Sequence, residues 1–235
     1  MKKIILKCKL TNRSRFEDKL SNIDLDFGPI HWQHDRVYVP RGYKPSSNYP
    51  RLIMRTTLEA IDQPATHSLI LRRHIEDSGI DIVEETPVQD YVTTVNIILQ
   101  LGFKPAGEVS RRRESLTMGE GTTIYLDEID GIDASYAKIE SNLTPTDSAT
   151  EVRNDLLKTL ETLGEQDIIS KPYIELQGNN SWPLSAGCPE PGKARISAGR
   201  PWRRADRTRP KREVGYYPLG GSPSGSPNNF LDLIS

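Results

Sequence analysis

Between residues 104 and 140 the chain sets three arginines in a row, Arg111-Arg112-Arg113, then an Asp127-Glu128 pair, then Glu140 two positions beyond Lys138. Arginine grips phosphate oxygens through a planar fork of N–H donors, and carboxylates are hard ligands for divalent cations such as Mg²⁺ or Mn²⁺. A site for a polyphosphate and its metal needs both kinds of group on one face, and the spacing allows it. Val109, Arg111 and Arg113 share a face under the two-residue alternation of a strand. A second run over residues 122–127 ends on the acidic pair, and Tyr136, Lys138 and Glu140 alternate along a third. Met118-Gly119-Glu120-Gly121 is the turn signal between the first two, because glycine tolerates positive φ. A solvated sheet face would carry the same charges, so the wider chain has to decide.

The elements needed to position these groups are legible upstream and downstream. Residues 4–10 read as an opening strand bearing Lys7 and Lys9, and residues 31–39 as a second. Glycine, proline and serine mark a loop over 41–48. In the strand over residues 51–58, Arg51, Ile53, Arg55 and Thr57 share a parity, and two arginines on one face repel unless an anion lies between or opposite them. Residues 68–75 place Leu69, Leu71 and Arg73 on one face and Ile70, Arg72 and His74 on the other. Helices are expected over residues 12–20, with Asn12 as N-cap, and over 87–101, with Thr86 as cap and Pro87 in the first turn. A third, over 147–163, opens on the capping box Ser148-x-x-Glu151. Their apolar stripes are Phe16 and Leu20, then Val88, Tyr91, Val92, Val95, Ile98 and Leu99, then Val152, Leu156, Leu160 and Leu163. Strands with charge on one face, combined with amphipathic helices, suit a barrel that is polar inside and covered by helices outside, the reverse of an ordinary small barrel.

The residues GFKPAGEVSRRRE, then IYLDEIDGI, then an aromatic followed by Ile139-Glu140, resemble the C-terminal half of a CYTH domain. That family takes in the class IV adenylate cyclases and thiamine triphosphatases, within the triphosphate tunnel metalloenzymes. Upstream, Gln33-His34-Asp35-Arg36-Val37-Tyr38 resembles the family's Q-x-D-x-Y-F strand. Arg51-Leu52-Ile53-Met54-Arg55 resembles its R-L-x-x-R strand, residues 69–73 the following L-I-x-x-R strand, and residues 172–177 its closing S-Y-x-E-L strand. The resemblance covers residues 1–177 and implies an α+β fold, a mainly antiparallel closed β-barrel with helices packed outside. It further implies a triphosphate-containing small molecule as ligand, held by Lys7, Arg51, Arg55, Arg73, Arg111 and Arg113. Asp127 and Glu140 are the implied ligands for Mg²⁺ or Mn²⁺; no catalytic residue is assigned. The opening strand departs from the family. With Lys7 on the lysine of the family's E-x-E-x-K, the two glutamates become Lys3 and Ile5, and Lys138 replaces a third family carboxylate. Two expectations stay open: an active triphosphatase or adenylate cyclase with a reduced metal site, and a CYTH-fold module that binds a polyphosphate or another anionic partner without chemistry.

Of the chain's 17 prolines and 17 glycines, 8 of each fall in residues 178–235, where 9 basic residues face 4 acidic ones. Residues 1–177 therefore keep 22 basic and 28 acidic residues of the chain's 31 and 32. This tail is expected to be disordered and to add nothing to the core. Its basic tract around Trp202 is the only feature that would suit nucleic acid. The two cysteines, Cys8 and Cys188, give no disulfide framework, which fits a reducing cytoplasm. The lysines before Ile4-Ile5-Leu6 imitate a signal peptide, but three apolar residues are too few for its core, and no later segment is expected to span a membrane.

Overall fold

The computed structural model describes residues 1–22, 25–43, 50–60, 62–75, 79–119 and 121–176; Gln177 and the expected tail over 178–235 lie outside the described residues. Eight strands are described: β1 Lys2–Lys9, β2 His31–Pro40, β3 Arg51–Leu58, β4 Thr66–Ile75, β5 Ile80–Pro87, β6 Phe103–Met118, β7 Thr122–Ile129 and β8 Ser135–Asn142. They close into a barrel in the order β1-β5-β4-β3-β2-β6-β7-β8, with every neighbouring pair antiparallel. The helices are α1 Arg13–Ser21, α2 Tyr91–Gln100, α3 Ala149–Thr162 and the single turn α4 Tyr173–Leu176. Among the described residues no helix is long and apolar enough to cross a membrane.

The apolar parity of the strands faces outward, under the helices. Ile4, Leu6 and Cys8 of β1 pack with Leu116 and Met118 of β6, Ile124 and Leu126 of β7, and Ala137 and Ile139 of β8. Phe16 and Leu20 of α1 and Leu156 and Leu160 of α3 cover them. On another part of the wall Val95 and Ile98 of α2 cover Tyr38 and Met54. Each such side chain contributes roughly 1.5–3 kcal/mol when fully buried, so the wall is held from outside. The other parity, which carries the charged residues, is left to the interior. A third apolar cluster, Val109, Ile129, Tyr136 and Tyr173, sits where α4 meets the barrel.

Local signals account for most helix ends. Asn12 accepts from the Arg15 N–H at 3.0 Å, and Ser148 Oγ from the Glu151 N–H at 3.4 Å. The start of α2 differs from the sequence expectation. Thr86 and Pro87 belong to β5, opposite Leu69 and Ser68, and the cap is Asp90, whose carboxylate accepts from the Thr93 N–H at 2.9 Å. An ionised Asx cap close to the apolar stripe takes precedence over a Thr-Pro pair that the sheet has already claimed. β5 itself escaped the sequence reading because Glu84-Glu85 breaks its apolar alternation. Residues 173–176 form a helical turn where the resemblance implied a closing strand; the barrel closes through β1 and β8 without it. The expected turn after β6 is present, with Gly119 at φ 52° and Gly121 at φ 85°.

Candidate functional site

Antiparallel register decides which charges meet inside. Asp35 on β2 faces Arg55 on β3, and Gln33 on β2 faces Arg111 on β6. Arg55 donates from Nε and Nη2 to the two Asp35 oxygens at 2.7 and 3.0 Å. Arg111 Nη2 donates to Asp35 Oδ2 at 2.6 Å and to Gln33 Oε1 at 2.9 Å. Burial would raise the Asp35 carboxyl, but the Arg111 and Arg55 guanidinium groups hold it far below the usual carboxylate range. Next along β6, Arg113 donates from Nε and Nη2 to Asp127 of β7 at 2.6 and 2.7 Å, and both side chains are buried. Burial and the nearby charges of Arg113 and Arg55 push the Arg111 guanidinium down, with Asp35 opposing them.

The β8–β1 side carries lysines. Glu140 is held at both oxygens: Lys3 Nζ lies 2.5 Å from Oε1 and Lys138 Nζ 2.5 Å from Oε2. Tyr125 Oη also donates to Oε1, at 3.2 Å. Burial alone would raise Glu140, yet Lys138 and Lys3 bring it down to about 2. Lys138 is pushed to about 7 by burial and by Arg113, effects that Glu140 only partly offsets. The Tyr125 ring sits beside both cations, 4.6 Å from Lys138 Nζ and 4.3 Å from Arg113 Cζ. Lys7 is likewise pushed to about 7, by burial and then by Arg72 and Arg51, while its ammonium donates to the Lys171 carbonyl at 2.5 Å. Arg72 donates to the buried Asp81 at 2.9 Å. Arg51 makes no ion pair among the described residues.

Five of the cations expected from the sequence, Lys7, Arg51, Arg55, Arg111 and Arg113, therefore lie on the interior parity. Arg73 does not. Arg51 pairs in register with Arg72, which puts Arg72 inside and leaves Arg73 exposed on the outer parity with Leu69 and Leu71. The two carboxylates expected to share a metal are also apart. Asp127 stands opposite Tyr136 and Glu140 opposite Thr123, four residues along β7, or roughly 13 Å of strand. Arg113 takes both oxygens of the first, and two lysines take those of the second. Among the described residues no three His, Cys, Asp or Glu side chains group as a metal site. A small divalent cation needs converging oxygen donors, and the residues present do not fit one.

Sequence reading missed the acceptors that organise the cations, Gln33, Asp35 and Asp81, and the part played by Lys3 and Lys138 as partners of Glu140. Strand pairing was the signal required, since Asp35 and Arg55 are adjacent only across the β2–β3 ladder. Near the β2 start, a cavity of about 410 Å³ is lined by Pro29, Ile30, His31, Gln33, Thr57, Glu59 and Ser115. Gln33, Thr57 and Ser115 share the interior parity, so this cavity is a mouth. The Tyr173 cluster lies toward the opposite end of the strands.

No family model and no curated protein matches the sequence. Solved structures do match it. A protein from Pyrococcus horikoshii OT3 is 22% identical with a TM-score of 0.65, covering 76% of this chain and 99% of that one. A proposed adenylate cyclase from Vibrio parahaemolyticus is 16% identical with a TM-score of 0.62, covering 75% and 97%. A proposed adenylyl cyclase from Hippeastrum, described as having a dominant triphosphatase activity, is 16% identical with a TM-score of 0.50, covering 77% and 97%. The chain has the fold of these structures, the CYTH-type triphosphate tunnel.

Proposed function

From that fold, we propose that the protein binds a small molecule carrying a triphosphate, a nucleoside or thiamine triphosphate, inside the barrel and without a divalent metal. One observation carries the reading: Glu140, where the family resemblance implied a metal ligand, is clamped between the ammonium groups of Lys3 and Lys138. Lys3, joined by Lys138 below about pH 7, supplies locally the positive charge that a cation would otherwise bring, and both lower metal affinity by the ligands they replace. The interior cations outnumber the interior carboxylates among the described residues. Arg111 and Arg55 already share one acid, and Arg51 makes no ion pair among the described residues. Phosphate oxygens entering from the mouth would complete the bonding of Arg51, Arg55, Arg72, Arg111 and Arg113, each through charge-assisted N–H donation.

In this reading the barrel orients a polyphosphate and shields it from water, and the protein is a binding module rather than a cyclase or triphosphatase. The test uses the full chain with inorganic tripolyphosphate and with ATP or thiamine triphosphate, first in EDTA and then with Mg²⁺ or Mn²⁺. Binding in EDTA is expected, raising stability by about 2.7 kcal/mol at a hundredfold excess over Kd. Turnover that starts only when metal is added would overturn the metal-free reading and favour the hydrolytic one, the activity described for the Hippeastrum neighbour. No binding under either condition would remove the triphosphate reading itself.

A further inference from the structure

Tyr173, on α4, has the only buried side-chain nitrogen or oxygen among the described residues that lacks a hydrogen-bond partner, its hydroxyl. The residue is 8% exposed. Buried hydroxyls ordinarily find a partner, because leaving one unmade costs the full desolvation of the group. The orphan is also surrounded by charge. Asp127, Arg113 and Arg111 are the ionised groups that act on it, and all three belong to the barrel interior. Asp127 is the acceptor within its reach, a carboxylate with lone pairs left beyond those Arg113 uses, but the Tyr173 hydroxyl does not meet it in hydrogen-bond geometry. Burial, followed by the Asp127 charge, keeps the phenol protonated, so it is a donor at any ordinary pH.

The ring is fixed independently of its hydroxyl. It packs on Tyr136 with centroids 5.5 Å apart, and Lys7 Nζ lies 5.2 Å from its centroid. The turn that carries it is tied down on either side. Lys171 accepts from Lys7, and Ile174 lies so close to Gly107 that an added Cβ would stand 2.5 Å from Ile174 Cδ1. A dry donor is thus held rigidly among the arginines, by an element that is not part of the barrel.

We propose that the Tyr173 hydroxyl is a ligand-binding group, donating a hydrogen bond to a phosphate oxygen of the triphosphate at the inner end of the tunnel. The proposal rests on the triphosphate reading above and adds to it that α4 contributes to the site. The ligand supplies an acceptor in the hydrogen-bond geometry that Asp127 does not offer, so occupancy ties α4 to the barrel.

The experiment compares the full-length protein with Tyr173→Phe, which keeps the ring and its packing, by titration calorimetry with inorganic tripolyphosphate in EDTA and by melting of the free proteins. Tyr173→Phe is expected to bind roughly tenfold more weakly, the worth of about one hydrogen bond. The free protein should melt unchanged or slightly higher, because the orphan is gone. Equal affinity would overturn the proposal while leaving the triphosphate reading intact. A free-protein melting point several degrees lower would also overturn it, because it would place the bond on Asp127 within the protein. If the unaltered protein fails to bind, the triphosphate reading falls and this inference with it.

Discussion

Lys138 gives the sharpest handle on the charged interior, because it should couple stability and ligand binding to pH with opposite signs. Burial and Arg113 bring its ammonium to about 7, against an ordinary value of 10.5. A lysine whose folded pKa lies below its unfolded pKa is bound to fewer protons when folded. Stability therefore rises with pH across the window from about 7 to 10.5, and it falls on acidification through that window. With one proton lost by the folded form alone, the slope approaches about 1.4 kcal/mol per pH unit. Integrated from pH 7 to pH 9, this gives about 2 kcal/mol of added stability from Lys138. Lys138→Met removes the contribution while Lys3 continues to neutralise Glu140, and Lys7, present in both proteins, cancels from the difference. Urea unfolding of the two proteins at pH 7, 8 and 9 should therefore show the unaltered chain gaining about 2 kcal/mol on the variant. Tripolyphosphate acts the other way. An anion beside Lys138 restores its proton, so binding takes up protons near pH 8 and weakens as pH rises. Parallel stability profiles for the two proteins would refute the reasoning, because Lys138 would then be charged throughout and its burial would not be limiting.

Three further outcomes test the register and the shell around the site. Arg72→Ala should weaken tripolyphosphate binding at least roughly tenfold, whereas Arg73→Ala should stay within about twofold, since a charge-assisted bond is worth about 1.5–3 kcal/mol and an exposed outer arginine makes none to the ligand. Gly107→Ala should destabilise the protein by about 1–3 kcal/mol through overpacking against Ile174, and should speed proteolysis within residues 170–176. Replacing Lys3, Ile5 and Lys138 together by glutamate should surround Glu140 with carboxylates, since Ile5 is its register partner on β1. Calorimetry should then detect Mn²⁺ binding in the triple variant and none in the parent.

The two arginines of β4 show where sequence legibility ended. Ile70-Leu71-Arg72-Arg73 alternates equally well in either register, and the resemblance favoured Arg73. What fixes the register is the covering helix: Leu69 packs beneath α2, so its parity is outward and Arg73 goes with it. Such information is absent from a strand taken alone. The helices, by contrast, were legible because a cap and a stripe lie within a few residues of each other, as at Asn12 and Ser148. The charge-bearing strands were also legible, since Arg51 with Arg55 and Arg111 with Arg113 each hold one parity. Their acceptors were not, because Asp35 meets Arg55 only across the β2–β3 ladder, 20 residues away.

The charge distribution turns these details into a functional argument. Residues 1–177 carry more acidic than basic residues, and composition alone would give them an acidic surface. The interior nevertheless gathers Lys3, Lys7, Arg51, Arg55, Arg72, Arg111, Arg113 and Lys138 around Asp35, Asp81, Asp127 and Glu140, with Glu85 on the same parity and Glu59 at the mouth. Taking these cations out of water and setting them beside one another weakens the folded state: burial first, and then the neighbouring guanidinium groups, lowers the Lys7, Lys138 and Arg51 pKa values. Apolar residues of similar volume would fill the barrel with less strain. An arrangement that costs stability and aims donors at a common space is one that a polyanion would complete. The lysines at Glu140 fit the proposed reading, because ammonium groups where the family resemblance implies carboxylates would raise affinity for phosphate at the expense of affinity for metal.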